Sequence, residues 1–324
     1  MGHNGSKIHH LEHYEASPLL FEGSVVLAET NEEFYRRFCL WAESSGFAKP
    51  EYLLPQIIVQ AQAAEPFTYE RRVVAHGLMP PSQAQIDALG PWDYQIEWGN
   101  ISTRGERRDL EWLVHRLRGS AFGTLSAALT NNDPSGWSII DVACHCGVLS
   151  LEFAERGFGR VAGVDLRQNL VDQGNFLAES FGLSKNVKFT VANVRDAIIP
   201  SADIVLCGGL LYHVTFPVEL MAKLFHATKR FLIFDTMLQQ HPFSGFHIIS
   251  DRNVNRTLDG DNQIEFMPTY RAVIDLLKGA GFHELYEVFT SCAAEVPLYK
   301  ERHIRTFLAV KPGEHLPRFS ASGT

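Results

Sequence analysis

The sequence predicts an α/β fold, in which a mostly parallel sheet with an antiparallel last strand is flanked by helices. Two observations predict it. From residue 135 onward, short β-branched apolar runs alternate with segments of helical periodicity. The last two runs, 284–289 and 304–310, have no helical pattern between them, which is typical of an antiparallel pair at one edge of a sheet. We therefore expect an α/β domain at 131–324, preceded by a helical N-terminal extension and lid at 1–130.

Composition limits the class of protein. The chain has 324 residues, of which 45% are apolar and 20% charged, as in an ordinary globular protein. Its formal net charge of -8 argues against a protein whose main task is to bind nucleic-acid phosphates. No run reaches the length of a membrane span, and the N-terminus lacks a signal-peptide pattern. We therefore expect no membrane association and a cytoplasmic location.

The first third of the chain has helical periodicity after a polar, histidine-rich start. Apolar residues recur at helical spacing in 31–46 and 53–64, and Ser82 with Gln85 forms a capping box that predicts a third helix. A segment with glycine, proline and two tryptophans at 90–100 then interrupts the pattern. Its tryptophans either pack on the core or form a lid over the site that follows.

The stretch on either side of Asp141 is predicted to be the end of a buried strand, a small-residue turn and the start of a helix. Ala143, Cys144 and Gly147 are small enough for a ligand to approach the backbone, and the free amides of a helix N-terminus face that ligand. Asp165 closes the next strand, 24 residues after Asp141. A carboxylate at this position binds the hydroxyls of a ribose. The alternative for Asp165 is a helix N-cap.

The remaining elements continue the alternation. Their predicted bounds are 137–142, 160–165, 187–191, 204–207 and 231–235 for strands, and 110–117, 168–181, 218–228 and 269–280 for helices.

Polar or small residues follow four of these strands and together carry a family resemblance. They are 141–147, Asp165, the pair Asn193-Val194, and 207–213, which reads Cys-Gly-Gly-Leu-Leu-Tyr-His. On these residues, 135–312 resembles a class I S-adenosylmethionine-dependent methyltransferase. The resemblance implies a Rossmann-like sheet and S-adenosyl-L-methionine as the cofactor.

The first turn departs from the family pattern, which reads Asp-x-Gly-x-Gly-x-Gly. Ala143 and Cys146 replace glycines that the family usually has, and His145 lies between them. His145 and Cys146 can be tolerated here only if their backbone positions do not require left-handed angles. Whether the turn merely tolerates these residues or uses them is left open.

The resemblance also implies roles for single residues. Asp141 would lie near the methionine amino group or orient the turn, and Asp165 would hold the ribose hydroxyls. Loop capping by Asn193 and core packing by Leu166 are the structural alternatives at the adenine. The expected cofactor-binding residues are Asp141, Ala143, Cys144, Gly147, Asp165, Leu166, Asn193, Val194 and Cys207.

His213 is the candidate catalytic base, because methyl transfer to a hydroxyl is helped by a group that removes its proton. Tyr212 beside it is the second catalytic candidate, since its ring could orient the sulfonium or the acceptor. Packing and helix capping are the structural alternative for both residues.

The long connection at 237–267 has no clear structure of its own in the sequence pattern, and connections of this length are usually functional. It is the candidate for acceptor binding, with a solvated loop or a dimer contact as the alternative. The candidate substrate-binding residues in this connection and near the tryptophan segment are Trp98, Arg104, His241, His247, Arg252 and Asn255.

Cysteine and histidine usage predicts neither a metal site nor a disulfide framework. The adjacent Cys144, His145 and Cys146 could each ligate zinc, but their spacing is too tight and no second Cys/His pair at finger spacing accompanies them. The five cysteines are an odd number, scattered along the chain.

The acceptor is the least determined part of the prediction. Residues 211–213, Pro217, the segment around Trp92 and 103–105 most resemble the subgroup that includes the bacterial tRNA wobble-uridine carboxymethyltransferase. The acidic balance favours instead a biosynthetic enzyme that methylates an oxygen or nitrogen of a small metabolite or natural product. A tRNA-modifying (carboxy)methyltransferase and a non-catalytic S-adenosylmethionine-binding scaffold are the alternatives. A homodimer is one option for the oligomeric state.

Overall fold

The computed structural model of the chain contains a nine-stranded sheet. The structure describes residues 25–27, 54–59, 79–103, 110–241, 243–250, 264–290, 297–300 and 303–317. The strands are β1 (Val25–Leu27), β2 (Gln56–Val59), β3 (Glu97–Trp98), β4 (Ile101–Ser102), β5 (Ser138–Val142), β6 (Arg160–Asp165), β7 (Val187–Val191), β8 (Ala202–Gly208), β9 (Thr228–Met237), β10 (Phe246–Ser250), β11 (Ile264–Pro268), β12 (Glu284–Thr290) and β13 (Ile304–Val310). Their order across the large sheet is β1-β2-β12-β13-β9-β8-β5-β6-β7.

The helices lie between the strands. They are α1 (Gln83–Ala88), α2 (Leu110–Leu129), α3 (Val148–Glu155), α4 (Gln168–Ser180), α5 (Pro217–Ala227), α6 (Tyr270–Ala280) and α7 (Pro297–Lys300), with a 3-10 turn at Leu211–His213. Apolar side chains fill both faces of the sheet. Phe122 of α2, Leu151 of α3 and Leu177 of α4 pack in one core cluster. Leu220 of α5 and Val273 of α6 pack in the other.

The predicted α/β fold is confirmed. Strands β5 to β9 pair in parallel, and β13 runs antiparallel to both β9 and β12. All five residues of β5 are buried, because helices cover both faces of a parallel sheet. Within the described residues, no helix is both long and apolar enough to cross a membrane.

Two predictions about the ends of the sheet are wrong. The helix expected at 53–64 contains strand β2, which pairs in parallel with β12. Ile57, Ile58 and Val59 are β-branched, so the local preference for a strand prevails over the helical spacing. As a result, β12 and β13 do not form the edge of the sheet, and the N-terminal extension is not wholly helical. The helix expected at 31–46 lies outside the described residues.

The long connection after β9 also has more structure than its sequence pattern predicts. Strands β10 and β11 form an antiparallel two-stranded sheet, in which His247 pairs with Met267. Strand β11 lies against the 3-10 turn that follows β8. This connection therefore contributes a side of the candidate site.

Residues 82–103 are attached firmly to the main sheet domain. Ser82 and Gln85 form the predicted capping box of α1. The indole nitrogen of Trp92 donates to the Ile86 carbonyl at 2.8 Å. The buried side-chain amide of Gln173, on α4, donates to the carbonyls of Leu89 and Pro91 at 2.9 and 2.8 Å. Buried hydrogen bonds of this kind hold a loop in one conformation.

Candidate active site

Asp141, at the end of β5, is buried beside the turn. Its Oδ2 accepts a hydrogen bond from Ser150 Oγ at 2.8 Å. Burial raises the pKa of Asp141 to about 7, and the nearby charge of Asp165 acts in the same direction, whereas the Ser150 hydrogen bond and Arg118 oppose it. Asp141 can therefore exchange a proton near neutral pH.

The turn at 143–147 is left-handed at every second residue. The φ angles are 62° at Ala143, 55° at His145 and 77° at Gly147. A Cβ at Gly147 would lie 2.1 Å from Cζ of Phe189, so only glycine fits there. Cys146 is not among the residues with positive φ. The condition for tolerance is therefore met at Cys146 but not at His145, because the left-handed positions are 143, 145 and 147. The placement of Cys146 at a glycine position is wrong, since His145 occupies the second glycine position of the family pattern.

The thiols around this turn are buried. Burial raises the pKa of Cys144, Cys146 and Cys207 above the ordinary thiol value, so these side chains remain protonated. No group of three or more His, Cys, Asp or Glu side chains among the described residues is arranged to hold a metal ion. Cys207, which we expected to bind the cofactor, is fully buried in the core cluster that contains Leu220.

Asp165, at the end of β6, accepts four hydrogen bonds. Oδ1 accepts from the backbone N of Arg167 at 3.0 Å and from its Nε at 2.9 Å. Oδ2 accepts from the backbone N of His145 at 2.9 Å and from Nη2 of Arg167 at 3.1 Å. Burial works against ionisation, but the hydrogen bonds and charge of Arg167 outweigh it and hold the pKa of Asp165 below its ordinary value. The carboxylate is therefore ionised, and both its oxygens are in use.

The residues expected near an adenine ring differ in exposure. The side chain of Leu166 is 44% exposed. Asn193 accepts a hydrogen bond from the backbone N of Arg195 at 2.9 Å through Oδ1. Its amide oxygen therefore caps the loop after β7, as in the structural alternative. Val194 is half-buried.

The end of β8 borders open space. Among the described residues, no atom lies within 4 Å of a Cβ built on Gly208. At Gly209 a Cβ would lie 3.4 Å from Oη of Tyr212 and 3.6 Å from Nη1 of Arg118. A phenol and a guanidinium therefore stand beside the turn that follows β8.

Arg118 is the centre of a buried polar network. Its Nη2 forms an ion pair with Oδ1 of Asp235, and its Nε donates to Oη of Tyr299 at 3.3 Å. Oδ2 of Asp235 accepts from Tyr299 Oη at 2.7 Å and from Thr306 Oγ1 at 2.6 Å. Burial alone would lower the pKa of Arg118, but Asp235 and Tyr299 raise it above the ordinary value. The guanidinium therefore stays charged inside the protein.

His213 closes the 3-10 turn and faces a carboxylate from another strand. Its Nδ1 lies 3.6 Å from Oε1 of Glu265 on β11. The rings of His213 and Tyr212 are 4.1 Å apart between centroids. The exposed fractions of the His213 and Glu265 side chains are 15% and 25%, so the pair is partly shielded from water. At 3.6 Å the two atoms are too far apart for a direct hydrogen bond, so Glu265 faces the ring as a nearby charge.

Comparison with known proteins identifies the central part of the chain. Residues 133–279 match the family described as Methyltransf_31, a methyltransferase domain. The match covers less than half of the chain and concerns a methyltransferase domain.

Two curated relatives match a shorter part of the chain. It is 31% identical over 109 residues to the tRNA U34 carboxymethyltransferases of Helicobacter pylori (strain Shi470) and Helicobacter acinonychis (strain Sheeba). That match covers 32% of this chain and 42% of the length of each relative.

Among solved structures, the N-terminal domain of EvdMO1 with SAH bound is similar with a TM-score of 0.52 at 18% identity. The same domain in the presence of SAH and D-fucose has a TM-score of 0.51 at 19% identity. Both cover 76% of this chain and 98% of the other. At this identity the likeness concerns the fold.

The predicted substrate residues of the methyltransferase domain are not all brought to its strand ends. The ring of Trp98 is buried and stacks on Phe181, next to α4, at 5.4 Å between centroids. His247, on β10, is exposed. His241 is also exposed, and its ring lies 4.0 Å from that of Phe243. The other predicted substrate residues lie outside the described residues and are Arg104, Arg252 and Asn255.

Several residues of the site are absent from the sequence prediction. Arg118 follows Val114 at helical spacing, so a charged residue that continues an apolar stripe was a usable signal. Arg167 lies two residues after Asp165, which was also a usable signal. Glu265, which faces His213, and Asp93, which lies 2.7 Å from Nε2 of His145, carry no local signal, because their partners are distant in sequence.

Proposed function

We propose that this chain transfers a methyl group from S-adenosyl-L-methionine to an oxygen or nitrogen of a small-molecule acceptor. The observation that best supports this is that Asp141, Asp165 and the turn with His213 all follow neighbouring parallel strands within the methyltransferase domain. Open α/β sheets bind ligands at the carboxyl ends of such strands. A cytoplasmic, biosynthetic role is part of this proposal.

Two features of the strand ends suit S-adenosylmethionine. The exposed side chain of Leu166 offers an apolar surface for an adenine ring. The open space beside Gly208 leaves room for a ligand to approach the backbone. A third feature limits ribose binding, because Arg167 and His145 already donate hydrogen bonds to both oxygens of Asp165. Arg167 must turn aside or share Asp165 before a ribose hydroxyl can donate to that carboxylate.

When bound, S-adenosylmethionine supplies an electrophilic methyl group on a sulfonium sulfur. The residues of the chain bind this cofactor and orient it toward the acceptor. Asp165 would hold the ribose, and Leu166 would contact the adenine. Asp141, whose pKa is about 7, would accept a hydrogen bond from the methionine amino group or pair with its positive charge. Alignment of the reactants and exclusion of water account for most of the rate increase in such a displacement.

His213 acts on the acceptor in this proposal. Its imidazole removes the proton of a hydroxyl or amine as the new bond to the methyl carbon forms. Glu265, 3.6 Å from Nδ1, holds the ring and stabilises the imidazolium that results. Tyr212, in contact with the imidazole ring, limits the directions from which an acceptor can approach.

A second candidate function is the modification of tRNA. It is favoured by the relatives, which are tRNA U34 carboxymethyltransferases. It is disfavoured by the net charge of -8, because binding to a tRNA backbone depends on basic residues.

One experiment separates the two functions. The purified protein is incubated with methyl-labelled S-adenosylmethionine and either a cell metabolite extract or bulk tRNA, and the labelled product is identified by mass spectrometry. We expect label in small molecules, with His213→Ala reducing it. Label in tRNA alone would replace the proposal with the second function. Binding of S-adenosylmethionine without label in either fraction would contradict both.

A further inference from the structure

We propose that Asp93 and His145 are a positioning pair, which couples residues 82–103 to the turn at 143–147 and sets the affinity for the methyl donor. This inference rests on the proposed function, because it assumes that the donor binds at this turn. It concerns residues outside the family pattern, which has glycine where this chain has His145.

The contact itself is short and directional. Nε2 of His145 lies 2.7 Å from Oδ2 of Asp93. Nδ1 of the same ring accepts a hydrogen bond from the backbone N of Cys146 at 2.8 Å. Since Nδ1 accepts, the proton of the neutral ring is on Nε2 and is donated to Asp93. Tyr94 also contacts the imidazole, with 4.9 Å between ring centroids.

The backbone of His145 connects this contact to the donor site. The residue has φ 55°, a left-handed angle that strains a non-glycine residue. In this conformation its N–H donates to Oδ2 of Asp165 at 2.9 Å. One residue is therefore bound through its side chain to Asp93 and through its backbone to the carboxylate proposed to hold the ribose. The side-chain bonds offset the strain and hold the N–H on Asp165.

Asp93 is itself held on both sides. Its neighbours Trp92 and Tyr94 are buried. The Tyr94 carbonyl accepts from Oγ1 of Thr103, and that Oγ1 accepts from the backbone N of Ile96 at 2.9 Å. Together with the bonds from Gln173, these contacts leave the Asp93 backbone little freedom. The Asp93 side chain is 38% exposed and that of His145 is 16% exposed, so the carboxylate meets the imidazole at the border of the protein and solvent, from a backbone that is held in place.

A glycine at position 145 would adopt the same φ without strain, but would lose the contact to Asp93. The two explanations of His145 therefore differ in what a glycine does. If the turn merely tolerates histidine, His145→Gly leaves donor binding unchanged or improves it. If the pair positions the turn, the same change weakens donor binding.

The test is calorimetry with S-adenosylhomocysteine on the full chain, using Asp93→Ala, His145→Gly and the double variant. We expect about a 10-fold loss of affinity in each single variant, in line with the loss of a hydrogen bond to a charged group. The double variant should lose no more than either single one, since both remove the same contact. The matched control is Asp172→Ala, at an exposed aspartate that accepts from Gln168 within α4, and this variant should bind as the wild type does.

Two further measurements keep the outcome decisive. Nitrogen-15 NMR of the histidines should detect the Nε2–H form of His145 in the wild type, and Asp93→Ala should alter that signal. Thermal unfolding without ligand identifies any variant that loses affinity because it is unfolded. Unchanged affinity in Asp93→Ala and His145→Gly, beside a binding wild type, would refute this inference alone. No binding by the wild type would refute the proposed function and this inference with it.

Discussion

Nδ1 of His213 and Oε1 of Glu265 lie 3.6 Å apart, which joins the turn after β8 to strand β11. The two residues come from segments that the sequence pattern treats separately. Glu265 belongs to the long connection after β9, and His213 follows the strand that carries Cys207. The contact gives the candidate base a carboxylate that can fix its orientation.

Glu265→Gln tests this contact. The glutamine keeps the shape of the side chain but not its charge, so the imidazolium of His213 loses its stabilisation. We expect kcat for a hydroxyl acceptor to fall on the order of 10-fold, with the affinity for S-adenosylhomocysteine unchanged. Glu179→Gln, at an exposed position on α4, is the control for loss of one carboxylate. Equal kcat in wild type and Glu265→Gln would show that Glu265 has no part in catalysis.

Arg167→Ala tests whether Arg167 competes with the ribose of the methyl donor for Asp165. The Arg167 side chain donates two of the four hydrogen bonds observed on Asp165, one to each oxygen, so Arg167→Ala frees one position on each oxygen for a ribose. The backbone N of residue 167 remains, and we expect S-adenosylhomocysteine to bind several-fold more tightly in calorimetry. Asp165→Ala should abolish the same binding. Weaker binding by Arg167→Ala would mean that Arg167 contacts the ligand itself.

Asp141→Asn tests the buried carboxyl through the pH dependence of stability. The folded pKa of about 7 lies above the unfolded value of about 3.9, so the folded state binds the extra proton between these values. The wild-type free energy of unfolding therefore falls as the pH rises from about 4 to 7 and levels off above 7. At about 1.4 kcal/mol for each pKa unit, the loss is at most about 4 kcal/mol.

Asparagine cannot ionise, yet its oxygen can still accept from Ser150. Asp141→Asn should therefore lose less stability than the wild type over that pH range, as measured by urea unfolding at pH 4, 5, 6 and 7. Asp172→Asn, on the surface of α4, should follow the wild type. Parallel curves for Asp141→Asn and wild type would contradict a raised pKa at this position.

Gly208→Val tests where the ligand lies. In the part of the chain that the structure describes, a Cβ at this position meets no atom within 4 Å, so we expect the fold to be retained. The same side chain would fill the open space at the end of β8, and we expect at least a 10-fold loss of affinity for S-adenosylhomocysteine. Gly136→Val is the matched control, because a Cβ there also meets nothing within 4 Å and the residue lies before β5. Unchanged binding by Gly208→Val would show that the donor does not bind beside the end of β8.

Local pattern predicted much of the central fold. The predicted bounds of β6, β7 and β13 agree with the structure, because β-branched runs between turn residues identify buried strands. Strand β2 was not predicted, because its four residues are not set apart by turn residues and lie in a longer segment with helical spacing. The left-handed angle of His145 was also missed, because backbone angles at a turn depend on the contacts that hold it.

The sequence by itself determined the order of the central elements and the acids that end β5 and β6. Both depend on neighbouring residues, because periodicity and turn residues can be recognised within a short stretch of sequence. Only the tertiary structure decided which atoms meet, as with Asp93 and His145, 52 residues apart, or Arg118 and Asp235, 117 residues apart. Such contacts depend on how distant segments pack, and no spacing along the chain encodes that packing.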